Sequence, residues 1–75
     1  MEPKKFKFKI STGTYKYYRI YESGNKFYAQ YNYRDGLFSG ENYSEIGKAY
    51  TFDEAMIICR SHATQFGGIE GMEFR

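Results

Sequence analysis

Cys59 and His62 stand three residues apart in the stretch TFDEAMIICRSHATQFGG. On a helix that spacing lets a thiol approach an imidazole, as a nucleophile and its base would. No Asn, Asp or oxyanion motif is placed to complete a catalytic set, and Cys59 falls in the middle of an apolar stripe, so the pair reads as structural. The chain has one Cys and one His, whereas a closed zinc site wants four N or S donors, so no metal site is expected. The carboxylates Asp53 and Glu54 open the same segment, where capping and the helix dipole account for them without catalysis. GGIEG, residues 67–71, is too short and too far from a strand-to-helix turn to cradle a phosphate. No cofactor and no catalytic residue is expected, and enzyme is the weakest functional class.

The remaining chemistry is recognition. Seven of the nine tyrosines lie within residues 15–36, and Lys5, Lys7 and Lys9 precede them with Arg19 among them. Rings and guanidinium groups are the commonest anchors of protein interfaces. Cations beside rings are also the ingredients of single-strand nucleic-acid binding, through phosphates and stacked bases. No RNA-recognition signature of the form [KR]-G-[FY]-[GA]-[FY]-V-x-[FY] is present. Which side of a sheet each ring occupies decides what it can bind.

KKFKFKI alternates with period two, placing Phe6, Phe8 and Ile10 on one face and Lys5, Lys7 and Lys9 on the other, the pattern of a half-buried strand. After STGT, residues 15–22 and 26–33 form two strands joined through SGN. With Gly24-Asn25 as a two-residue loop, Glu22 faces Phe27, Tyr21 faces Tyr28, Ile20 faces Ala29, Arg19 faces Gln30 and Tyr18 faces Tyr31. One face then holds Tyr18, Ile20, Phe27, Ala29 and Tyr31. The other holds Tyr15, Tyr17, Arg19, Tyr21, Tyr28, Gln30 and Asn32. A loop one residue longer would bury Arg19 unpaired, at a cost of several kcal/mol, which selects this register.

RDG at 34–36 predicts a further turn, followed by a short strand at 37–39 and another near 46–50. Thr51 and Glu54 make a capping box and Gly67 a stop, predicting a helix over 52–66. Its stripe of Phe52, Ala55, Met56, Cys59, Ala63 and Phe66 must lie on the sheet. Ile57 projects from the polar side as a candidate contact residue. IEGMEFR alternates again and predicts a last strand, with Met72 and Phe74 on one face.

These elements assemble as a single α+β domain over residues 1–75: a mainly antiparallel sheet of four or five strands with one amphipathic helix on one face. The expected core is Phe6, Phe8, Tyr18, Ile20, Phe27, Ala29, Tyr31, Phe52, Met56, Cys59, Ala63 and Phe66. The aromatic fraction of 21% without Trp suits such a core. A lone cysteine excludes an internal disulfide, and the charged, alternating start does not fit a signal peptide, so the cytoplasm is the expected compartment and no membrane partner is expected. The net charge of +2 divides into +6 over residues 1–34 and −4 over 35–75.

In general character the chain is similar to the short accessory proteins of phages and mobile elements, many of which bind and block one host protein; this likeness rests on no motif and transfers no residue. The expected function is that of a non-enzymatic protein-binding module, possible dimer formation included, acting through Tyr15, Tyr17, Arg19, Tyr21, Tyr28 and Gln30, with Ile57 as a second contact. The alternative is single-stranded nucleic-acid binding through Lys5, Lys7, Lys9, Arg19 and Tyr17.

Overall fold

The computed structural model describes residues 3–33 and 42–75. The turn expected at 34–36 and the strand expected at 37–39 lie outside the described residues. Strands β1 (Lys4–Ile10), β2 (Tyr15–Ser23), β3 (Lys26–Asn32) and β4 (Tyr43–Ala49) precede helix α1 (Phe52–Ala63), a 3-10 turn (Thr64–Phe66) and β5 (Ile69–Phe74). They form one five-stranded antiparallel sheet in the order β4-β3-β2-β1-β5. The fold is α+β, with the helix against one face of the sheet.

The β2–β3 hairpin takes the register that its turn dictates. Gly24 and Asn25 have φ of 54° and 67°, the left-handed pair of a two-residue loop whose twist matches that of the flanking strands. Tyr18 therefore faces Tyr31, Arg19 faces Gln30, Tyr21 faces Tyr28 and Glu22 faces Phe27. Strand β1 adds to β2 with Phe6 beside Tyr18 and Lys7 beside Tyr17. The alternation of KKFKFKI thus continues the two faces of the hairpin across to β5, where Glu73 sits beside Lys7 and Met72 beside Phe8.

The helix begins as the capping pattern predicts: the hydroxyl of Thr51 accepts the backbone N–H of Glu54 at 3.1 Å and donates to its carboxylate at 3.0 Å. Regular α geometry stops at Ala63, and the last three predicted residues form the tighter 3-10 turn, a common way to close a helix C-terminus. Ala55, Cys59 and Ala63 are fully buried, and Phe52, Met56 and Ile58 pack around them. The small residues at the centre of the stripe let the helix approach the sheet. Gly47 serves the same approach from β4, since a Cβ there would stand 3.0 Å from Cγ2 of Ile58.

The fully buried core is Phe6, Phe8, Tyr18, Ile20, Ala29, Ala55, Cys59 and Ala63, with Ile10 buried as well. Phe27, Tyr31, Phe52 and Met56 are half-buried at its margin, and Phe66 stacks on Tyr31 at 5.8 Å between ring centroids. Strand β4 departs from expectation by starting at Tyr43 rather than near residue 46. Its pairing with β3 shifts between Ala29 and Gln30, so that Gly47 and Glu45 face consecutive residues and Ile46 is the extra residue of a bulge. A bulge interrupts alternation in the sequence, which hid the first half of the strand.

Candidate protein-binding face

Tyr15, Tyr17, Arg19, Tyr21, Tyr28 and Gln30 all lie on the side of the sheet away from α1, as the hairpin register requires. All six are half-buried although no helix among the described residues lies on this side, because neighbouring side chains of the same face pack over them. Arg19 donates from Nε to Oε1 of Gln30, directly across the β2–β3 pair. Its guanidinium carbon lies 4.1 Å from the ring centroid of Tyr43. Tyr21 and Tyr28, also directly opposite, stack at 5.1 Å with 20° between their planes. Lys7 places its ammonium 4.6 Å from the Tyr15 centroid, and Arg75 its guanidinium 4.7 Å from that of Tyr17.

Tyr43 is the residue that sequence reasoning missed. It is the Cα partner of Asn32, yet its ring meets Arg19 of β2 and its hydroxyl accepts Arg75 at 3.0 Å. With strands about 4.8 Å apart, that reach carries the ring over β3. Asn32 was expected on the open surface and is instead fully buried, next to Tyr43 across the β3–β4 pair. No buried side-chain polar atom among the described residues lacks a hydrogen-bond partner. The signal for Tyr43 was present only as an aromatic residue at the start of an unrecognised strand.

The open side also gathers charge. Lys5, Lys7 and Lys9 of β1, Arg19 of β2, Lys26 of β3, Lys48 of β4 and Arg75 beyond β5 project there, against Glu45 and Glu73. Among the described residues, seven cations and two carboxylates give +5 on this side, in a chain whose total is +2. Charge is therefore segregated by face and not by half of the sequence: Lys48 and Arg75 come from the acidic half, and their positions in β4 and after β5 bring them to the basic side.

Ile57 does not join this surface. It is 61% exposed on α1, on the opposite side of the sheet, beside Tyr50, which is 72% exposed. The two lie along a shallow groove between α1 and β4 with Ile58 and Ala49.

The Cys59–His62 pair is taken apart by the core. Cys59 is fully buried, and desolvation pushes its thiol up to about 12, which removes the thiolate at neutral pH. His62 turns to another partner: its Nδ1 is 2.8 Å from the Tyr18 hydroxyl, and its ring packs against Tyr31 at 4.6 Å and Phe66 at 5.6 Å. A neutral imidazole with its proton on Nε2 accepts the bond from Tyr18. Burial lowers the His62 pKa from its ordinary value and raises that of Tyr18, so both favour the neutral forms this bond needs. Among the described residues no group of three or more His, Cys, Asp or Glu side chains is placed to hold a metal ion.

No family model, no curated protein and no solved structure matches the chain. No helix among the described residues is long and apolar enough to cross a membrane.

Proposed function

We propose that the protein is a non-enzymatic binding module that docks the open side of its sheet on a partner protein. The observation that carries this reading is the fixed Tyr/Arg mosaic of Tyr17, Arg19, Tyr43 and Arg75, in which two guanidinium groups hold two rings. Interface anchors are enriched in Tyr and Arg, and side chains already held in place lose little freedom on binding. The small size and motif-free sequence fit an accessory protein of a phage or mobile element that modulates one host protein.

The basic balance of this side favours a second reading, single-stranded nucleic acid, because phosphates would follow the cations. Against it, every tyrosine on the open side already has a cation or a second ring over one face. A stacking base would compete with those neighbours.

The test is capture of partners from nuclease-treated cells by the wild-type chain and by Tyr17→Ala and Arg19→Ala. A protein retained by the wild type and weakened at least about tenfold by either substitution supports the reading. A partner that disappears with nuclease moves the assignment to nucleic acid. Equal retention by all three chains rejects the open face.

A further inference from the structure

Resting on that protein-binding reading, we infer that the partner surface is acidic, with its carboxylates centred opposite β1 and β2. The charge pattern of the open face points there. Lys5, Lys7, Lys9 and Arg19 fill the two strands β1 and β2, which lie inside the sheet, whereas the two carboxylates, Glu45 and Glu73, occupy only the edge strands β4 and β5. Neighbouring strands are about 4.8 Å apart. The cations of adjacent strands therefore lie within the Debye length of about 8 Å at physiological ionic strength, and their fields add. The other charged side chains among the described residues, Lys4, Lys16 and Arg60 against Glu22, Asp53, Glu54 and Glu70, sum to −1, so the positive potential is concentrated on this side and orients an approaching anion towards it.

The centre of the face is therefore positive, whereas each edge is balanced, Glu45 by Lys48 on β4 and Glu73 by Arg75 beyond β5. A protein surface complements this face with Asp or Glu opposite β1 and β2 and mixed charge at the margin. A polyphosphate backbone running across the strands would leave the positive centre for balanced edges, whereas a compact cluster of carboxylates fits the centre alone. Stacking on a ring uses the face of a guanidinium and leaves its edge N–H groups able to donate to a carboxylate, as for Arg19 over Tyr43 and Arg75 over Tyr17.

The experiment titrates poly-L-glutamate, and separately single-stranded oligothymidylate, into the isotopically labelled full chain while following amide shifts. Polyglutamate is expected to move Lys7, Tyr17 and Arg19 while leaving α1 unperturbed, and to weaken at least about tenfold between roughly 50 and 300 mM salt. The double substitution Lys7→Glu with Lys48→Glu is expected to weaken it at least about tenfold with the fold retained in the same spectra. Shifts confined to α1, or none, overturn the inference, and tighter binding of oligothymidylate at the open face overturns it in favour of nucleic acid. The protein-binding reading is decided separately: if polyglutamate is ignored while Tyr17→Ala still loses its captured partner, only the acidic assignment fails, and if Tyr17→Ala loses nothing, the reading beneath it fails too.

Discussion

Tyr17 and Tyr18 are consecutive in β2, and the pleat sends them to opposite worlds. Tyr18 is fully buried, packed between Phe6, Phe8 and Tyr31 with its hydroxyl on His62. Tyr17 is half-buried on the open side with a guanidinium over its ring. One side of the sheet is closed by a helix and held by apolar burial. The other, among the described residues, is covered by its own side chains, through cation–π contacts, the Tyr21–Tyr28 stack and the Arg19–Gln30 and Arg75–Tyr43 hydrogen bonds. Contacts of the second kind are worth about 0.5–1 kcal/mol each at exposed sites, against about 3–5 kcal/mol for truncating a large core ring. Stability therefore rests mainly on one side of the strand and, on the proposed reading, recognition falls to the other; tyrosine suits both because its ring buries area while its hydroxyl keeps a polar partner.

That division can be broken or sharpened by substitution. The largest effect is expected for Phe8→Ala, at about 3–5 kcal/mol, which in a domain of 75 residues is enough to abolish folding under ordinary conditions; circular dichroism would read it as loss of the cooperative melt. Next comes Arg19→Ala, expected to weaken partner binding at least about tenfold, or about 1.4 kcal/mol, while costing no more than about 1 kcal/mol of stability by urea denaturation. Tyr18→Phe removes the hydroxyl bonded to His62 at an expected cost of about 1 kcal/mol.

The same bond gives a pH signature. The His62 pKa in the fold lies below its unfolded value of 6.5, so below that value the unfolded chain binds the extra proton first. Stability contributed by the neutral imidazole is complete above 6.5 and is lost as the pH falls from there through the lower folded value. Urea midpoints measured across that interval should decline with acid in the wild type, and His62→Gln should flatten the decline. The smallest effect is expected for Ile57→Glu, within about 0.5 kcal/mol, because the residue is exposed on α1 and contributes nothing to the open side. A sedimentation shift in that variant would reveal a second contact surface between α1 and β4.

Local chemistry made much of this legible beforehand. The Gly24-Asn25 loop and the penalty for burying Arg19 together fix the hairpin register, and Thr51, Glu54 and the apolar stripe fix the helix. From the register alone follow the sides occupied by Tyr15, Tyr17, Arg19, Tyr21, Tyr28 and Gln30. What was not legible is whatever depends on β4 and β5. The bulge at Ile46 breaks the alternation that would have revealed Tyr43 as a strand residue. Without Tyr43, the ring that meets the Arg19 guanidinium cannot be deduced. Arg75 reaches Tyr17 and Tyr43 only because β5 is placed beside β1, and no local pattern encodes which edge a last strand joins. The basic character of the open side was hidden for the same reason: charge counted along the sequence divides by half, whereas the sheet divides it by face.

The measurement that bears most directly on the division of labour is the unfolding free energy of Tyr17→Ala beside that of Tyr18→Ala, by urea denaturation of the two proteins under one set of conditions. Removing Tyr18 should cost at least about 3 kcal/mol and Tyr17 no more than about 1 kcal/mol, with equal m-values wherever both still unfold cooperatively. Equal losses from the two substitutions would contradict the account, since the open side would then be a second core and its rings would be committed to folding.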